Sequence, residues 1–271
     1  MARRSGVLWP RVVRGALAVC AGFFACLSYS WLTLPDVRTL RRQNPTTTAF
    51  MEMRKREAIA AGKSARVSQH WISYARLSPT LRRAVLVTED AGFWDHDGID
   101  LAELKASIET NWARGGLIRG GSTITQQLAK NLYLSPSRNP YRKIVELMIA
   151  RRLEAELPKA RILELYLNLI EWGDGIWGAD AAARAYFGRS ASELSPSQSA
   201  MLAGAIINPR LYNPAHPNAR LLRRQGIVLA RMGSVTPPPP MPAADAPVSD
   251  DPTPSAPEAS GDALAPATLP R

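Results

Sequence analysis

The chain has 271 residues, 46% of them hydrophobic, with 34 Lys plus Arg against 23 Asp plus Glu for a net charge of +11. That length and apolar fraction allow one large core or two small ones and exclude a wholly disordered protein. Only Cys20 and Cys26 occur, both in an apolar run, which excludes a disulfide scaffold and paired CxxC zinc sites.

The charge is unevenly spread. From Val235 to Arg271 there are five acids (Asp245, Asp250, Asp251, Glu258, Asp262) and one base, so the remainder holds 33 bases against 18 acids, a net +15. A body so basic expects an anionic partner, whether nucleic acid, anionic lipid or a pyrophosphate substrate.

In chain order, residues 1–14 carry Arg3, Arg4, Arg11 and Arg14 and no acid, and residues 15–35 carry no charge at all. An uncharged run of this length crosses a ~30 Å hydrocarbon layer as a helix and exceeds the ~7–15 apolar residues of a signal peptide, so an uncleaved anchor is expected. The arginines ahead of it predict a cytoplasmic N-terminus and a body on the outer side. Tyr29 and Trp31 stand where an interfacial aromatic belt falls. Residues 36–76 read as a basic juxtamembrane segment with one short helix over 48–61.

Helical signals follow. Ser78 before Pro79 opens a helix whose apolar face carries Leu81, Ala84 and Val85 and whose end delivers Glu89. Asp100 caps a helix over 101–114. The glycine-rich run 115–121 reads as a flap, with Trp112, Leu117 and Ile118 as an apolar wall toward the bilayer. Ser122 or Thr123 starts the next helix. Asn139 and Pro140 open a long one to about 157, and further helices are expected over 160–169, 179–187, 196–207 and 218–232, with a glycine turn at 171–178. No period-two alternation is long enough for a sheet, so the body is predicted all-α, with a domain over 77–233. Residues 234–271 hold 11 of the 22 prolines and are expected to be disordered.

Four stretches carry chemistry: EDAGFWDHDGID (89–100), GGSTITQQLAKN (120–131), RKIVELMIARRLE (142–154) and ILELYLNLIEWGDGIWG (162–178). The first puts four Asp, one Glu and one His of residues 87–100 beside Phe93 and Trp94. A carboxylate desolvated against aromatic rings or repelled by a helix C-terminus has a raised pKa, as a base requires. Asp90 is turned by about 100° from Glu89 on a helix and so is assigned to supporting hydrogen bonds. His96 is expected to order the loop through its ring rather than bind metal, and Phe93 to line the cleft wall. Ser122, Thr123 and the amides after Gly120 and Gly121 suggest an anion site at a helix N-terminus, with Lys130, Arg142 and Lys143 as cations. Glu146 shares a helix face with Lys143 and either holds a divalent cation or orients the cations as a salt-bridge partner.

Taken in order, these motifs closely resemble the family 51 peptidoglycan glycosyltransferases over roughly residues 75–215. The single anchor, with no SxxK or KTG acyl-enzyme pattern, resembles the monofunctional form. The resemblance implies a lysozyme-like α-helical lobe that polymerises lipid II with inversion at the donor C1. Glu89 corresponds to the catalytic glutamate acting as base and Glu146 to a second glutamate near the donor pyrophosphate. Asp90, Phe93, His96, Ser122, Thr123, Gln126, Gln127, Lys130, Asn131, Arg142 and Lys143 correspond to the surrounding substrate-binding positions. Implied partners are lipid II, the nascent glycan strand, the bacterial inner membrane and other cell-wall synthesis or division proteins, with no nucleic acid. Mg2+ or Mn2+ suits the oxygen ligands and phosphate, no protein metal site is expected, and no organic cofactor is implied. Glu164, Tyr166 and Asn168 are expected to tie their helix to the Glu146 helix by buried hydrogen bonds. A glycan-cleaving enzyme with a lone acid is the rival reading, and it leaves the cationic set without a purpose. A non-catalytic membrane scaffold is a second, against which intact Glu89 and Glu146 argue.

Overall fold

The computed structural model describes residues 8–116, 120–134 and 139–233. Ten α-helices carry it: α1 (Leu8–Leu32), α2 (Ala49–Ala60), α3 (Pro79–Glu89), α4 (Leu101–Ala113), α5 (Ile124–Tyr133), α6 (Pro140–Glu156), α7 (Lys159–Leu169), α8 (Ala179–Phe187), α9 (Pro196–Ala205) and α10 (Ala219–Met232). The all-α expectation holds for the lobe. A miniature sheet accompanies it, with β1 (Ser68–Gln69) parallel to β3 (Ile176–Trp177) and β2 (Glu171–Gly173) antiparallel to β3. Strands of two or three residues are too short to show an alternating pattern, which is why the sequence did not announce them.

Most helices start where a short polar side chain caps free amides. Thr48, Asp100, Thr123, Asn139 and Asn218 accept from Met51, Glu103, Gln126, Tyr141 and Leu221, and Ser195 forms a capping box with Gln198. Each such cap contributes about 1 kcal/mol. Ser78 stands at the expected position but does not cap. Its hydroxyl turns to Thr80 and the Leu194 carbonyl, joining α3 to the start of α9.

The core is built around α7, whose residues Ala160 to Leu169 are all buried. Here α5, α6 and α8 pack on it while α3, α9 and α10 form a second packed group. Three polar residues of α7, Arg161, Glu164 and Asn168, serve as fasteners. Glu164 accepts from the Tyr74 amide at 2.8 Å and pairs with Arg161, whose guanidinium also donates to the Leu40 and Gln43 carbonyls. Asn168 exchanges hydrogen bonds with both backbone groups of Ile72. These residues therefore tie α7 to the 40–74 segment, and Tyr166 ties it to α5. The expected link to the Glu146 helix does not form. Gly178 at φ +82 closes the turn before α8, where a Cβ would lie 2.8 Å from the Asn168 carbonyl oxygen.

Segment 36–76 packs its apolar side chains into the lobe. Val37, Leu40, Met51, Ile72 and Tyr74 are buried in the common core. The lobe therefore begins well before residue 77.

Helix α1 contains the one span among the described residues long and apolar enough to cross a membrane, Val12–Leu32, and almost every side chain along it is exposed. Its end is fastened to α6: Ser30 meets the Tyr141 hydroxyl, and Arg152 donates to the Leu34 carbonyl at 3.3 Å. The tail 234–271 and the flap residues Leu117 and Ile118 lie outside the described residues.

Candidate active site

Helix α3 ends at Glu89, and the chain turns away through Asp90, whose backbone leaves the helical region. Glu89 keeps part of its surface open to a cleft of about 630 Å³ lined by residues 87–92, Asp100, Glu103, residues 120–123, Arg224, Ile227, Val228 and Arg231. The rest of its carboxyl is enclosed. Gln127 on α5 donates to Glu89 Oε2 at 2.9 Å, and the buried Tyr166 hydroxyl donates to Gln127 Oε1 at 3.0 Å. The amide is thereby held with its donor end toward the carboxylate.

Burial pushes the Glu89 carboxyl above the ordinary carboxylate range. The Gln127 hydrogen bond, Arg224 and Lys130 pull it partly back, and neighbouring Asp90 adds to the rise. Desolvation is the leading cause.

Asp90 is buried and spends both oxygens on structure. Oδ1 accepts from His96 Nε2 at 2.9 Å, and Oδ2 accepts from the Ile124 amide at 2.9 Å. The Gly98 amide donates to His96 Nδ1 at 3.1 Å, so the imidazole carries its proton on Nε2. Asp90, His96 and Asp100 bring ligand atoms within 4.8 Å of one another. Both ring nitrogens of His96 and both oxygens of Asp90 already take part in hydrogen bonds.

Gly98 shows why the loop after Glu89 takes its shape. It sits at φ +84, and a Cβ there would press on the Glu154 side chain and the Ala150 carbonyl. Its own carbonyl accepts from the Thr123 hydroxyl at 2.7 Å and from Gln126 Nε2 at 3.1 Å. Lys159 lies 4.4 Å from the Phe93 ring centroid and donates to Glu154 at 2.8 Å. Phe93 is fully buried, so it packs behind the site and offers no surface to a substrate.

Two of the amides at the start of α5 are already taken from within. Asp90 takes the Ile124 amide and the Thr123 hydroxyl takes the Gln126 amide at 3.2 Å, which leaves Ser122 as the exposed member. Gln126 and Asn131 are buried. Gln126 Oε1 accepts from Lys143 Nζ at 2.9 Å, while Asn131 donates to the Gln127 carbonyl and braces α5 from inside.

A second carboxylate lies on α6. Glu146 is buried, Arg142 donates to its Oε2 at 3.2 Å, and Lys143 donates to its Oε1. Lys143 also reaches the Ser122 hydroxyl at 3.2 Å, linking α6 to the cleft rim. Half-buried Lys130 feels both acids. Burial lowers its ammonium pKa, with Glu146 and Glu89 opposing and Arg142 and Lys143 adding to the fall. An anion arriving here would oppose that fall.

Sequence reasoning overlooked Arg224 and Arg231 on α10. The signal was present, since α10 contains four arginines and no acid, but only the fold shows that two of them line the cleft beside Glu89. Arg224 is oriented by a 2.9 Å hydrogen bond to the Gly204 carbonyl. Arg224 and Arg231 thus line the cleft from α10, while Lys143 reaches its rim through Ser122 and Lys130 acts on Glu89 through space.

Comparison with known proteins agrees with this geometry. Residues 55–233 match the family described as transglycosylase. A biosynthetic peptidoglycan transglycosylase of Laribacter hongkongensis is 42% identical over 224 residues, 83% of this chain and 97% of the relative. Relatives of the same name from Nitrosomonas eutropha and Thiobacillus denitrificans are 44% identical over 227 residues and 42% over 232, covering 84% and 85% of this chain and 92% and 98% of their own lengths. With residues 55–233 matched and these relatives aligned over almost their whole lengths, the chain belongs to the transglycosylase family and is a glycosyltransferase.

Proposed function

We propose that the protein polymerises lipid II into β-1,4-linked glycan strands, with inversion at the donor C1 and release of undecaprenyl pyrophosphate. The observation that carries this reading is a carboxylate of raised pKa in a cleft lined by Arg224 and Arg231, with Lys130 acting on it through space. A sugar 4-hydroxyl is a poor nucleophile at neutral pH and needs a base in hydrogen-bond reach. Glu89 is that base: partial desolvation makes it a better proton acceptor than a solvated carboxylate, and Gln127 fixes its orientation. The oxygen attacks C1 from the face opposite the pyrophosphate, its proton passes to Glu89, and the C1–O bond to the diphosphate breaks.

The leaving diphosphate is met by Lys130, Arg142 and Lys143. Glu146 acts as their orienting counter-ion, because both its oxygens are already engaged by cations. The structure favours that role over metal bridging, so no step here passes through Mg2+ or Mn2+. Arg224 and Arg231 suit the second diphosphate, that of the acceptor. A glycan-cleaving enzyme would have no use for two cation sets.

Helix α1 holds the lobe at the inner membrane with the N-terminus cytoplasmic and the catalytic lobe periplasmic, where both lipid-linked reactants lie. Trp112 is 88% exposed on α4, in line with Leu101, Leu104 and Ile108, and serves as the membrane-facing wall. Other cell-wall synthesis or division proteins are the expected company, and nucleic acid is not. Purified protein incubated with labelled lipid II in detergent should give a glycan ladder on a gel. Unchanged lipid II at every enzyme concentration would refute the reading.

A further inference from the structure

A second cavity, of about 420 Å³, shares no lining residue with the catalytic cleft. Its floor is apolar: Met51 and Trp177 are almost fully buried, and Ala58 of α2 also faces the space. One wall is fixed by backbone. The Ser68 amide donates to the Gly175 carbonyl at 2.8 Å, and Gly175, at φ +72, lies so close to Arg66 that an added Cβ would stand 2.6 Å from its carbonyl oxygen. The cavity is therefore preformed, as ligand sites usually are.

Some of the charge around it is balanced and some is not. Arg54 donates to the buried Glu171 at 3.0 Å and to Glu57 at 2.8 Å, and Arg210 pairs with Asp174 at 2.9 Å. Lys55, Lys63 and Arg66 line the same cavity, are exposed, and have no ion-pair or hydrogen-bond partner for their side chains among the described residues. A ligand that brings carboxylates to these three cations and an apolar group to the floor uses both features. A compact phosphate suits the cavity less well, because Ala58 and Ala61 bring in the C-terminal end of α2, where the helix dipole is negative. Anionic charge spread along an extended chain keeps clear of that end.

We propose that this cavity docks an acidic peptide segment of another protein, with one apolar side chain on the floor of Met51 and Trp177 and flanking carboxylates on Lys55, Lys63 and Arg66. The enclosed side chain supplies most of the affinity, and the cations around it set register and speed the encounter. This docking does not rest on the lipid II reading above, since none of these residues takes part in it.

The test uses the full chain in detergent and a fluorescein-labelled peptide with one leucine flanked on each side by two glutamates. Fluorescence anisotropy in dilute buffer should show saturable binding. Changing Lys55, Lys63 and Arg66 together to Gln should weaken it about 10-fold, the scale of three exposed charge contacts. Changing Arg41, Arg42 and Arg189 to Gln, which are also exposed, should leave it unaltered. Ala58→Trp keeps every charge but fills the cavity and should weaken binding as well, and a peptide with glycine in place of leucine should bind about 10-fold less tightly. No saturable binding, an equal loss in the two triple variants, or undiminished binding to the Ala58→Trp chain overturns the docking. Displacement of the peptide by inorganic pyrophosphate at equal or lower concentration would make this a phosphate site and overturn the peptide assignment.

Discussion

Glu89 and Glu146 sit in one lobe, each largely withdrawn from water, yet their surroundings make them different reagents. Glu89 is held by a neutral amide, with Arg224 and Lys130 acting on it only through space, and burial raises its pKa. Glu146 is gripped directly by Arg142 and Lys143. A carboxylate touched by a neutral donor can accept a proton and return it. One clamped by two cations fixes their positions instead. Partner charge thus separates the two roles more clearly than burial does.

The strongest way to break this comparison is to remove proton transfer alone. Glu89→Gln keeps the size and a hydrogen-bonding partner for Gln127, and lipid II turnover should fall by about 10³-fold, within the span of a general base. A turnover near that of the unaltered protein would mean another group takes the proton. Glu146→Gln attacks the other side by leaving two cations without their counter-ion. A loss of about 10²-fold in kcat/KM is expected, the scale of breaking a buried charge pair. The pH profile should keep its shape, since the base is untouched. If the acid limb moved instead, Glu146 would be taking part in proton transfer.

A smaller change should alter the pH dependence itself. Because the Gln127 hydrogen bond lowers the Glu89 pKa, Gln127→Leu removes a restraint and the pKa climbs further. The base is active when deprotonated, so the acid limb of kcat/KM should move to higher pH, with a loss of about 10-fold near neutrality from the missing orientation. An acid limb that stays in place would show that Gln127 has no hold on the base.

How much of this could be read from the sequence depends on the kind of information involved. Helix positions came through because caps and apolar faces are local, as at Asp100, Thr123 and Asn139. The positions of Glu89, Gln127, Lys130 and Glu146 came through a family resemblance carried by contiguous motifs. What stayed hidden was partner choice across long separations: Asp90 closing the helix that begins at Ile124, Glu164 reaching Tyr74, and α10 turning Arg224 toward Glu89. Such contacts are set by packing, and nothing in residues 219–232 alone distinguishes an arginine facing the cleft from one facing solvent. Phe93 illustrates the reverse case, where a motif position suggested substrate contact and the core claimed the ring.

The least dramatic prediction concerns stability, and it gives the two glutamates opposite signs. The folded-state pKa of Glu89 lies above its ordinary value of 4.5, so the folded protein binds this proton more tightly than the unfolded chain does. The stability associated with the protonated form is fully present below that ordinary value and is lost as pH rises through the folded pKa. Near neutral pH an enclosed anion therefore costs stability, and Glu89→Gln should recover some of it, about 1 kcal/mol or ~2–4 °C in Tm for a lobe of this size. The gain should fade as the pH is lowered, because the unaltered protein then protonates Glu89. Glu146→Gln should lower Tm at neutral pH, since Arg142 and Lys143 lose the carboxylate between them. Thermal melts of both variants across pH decide the matter: if Glu89→Gln were the less stable at neutral pH, the carboxylate would be a structural ion like Glu146 and not a strained base.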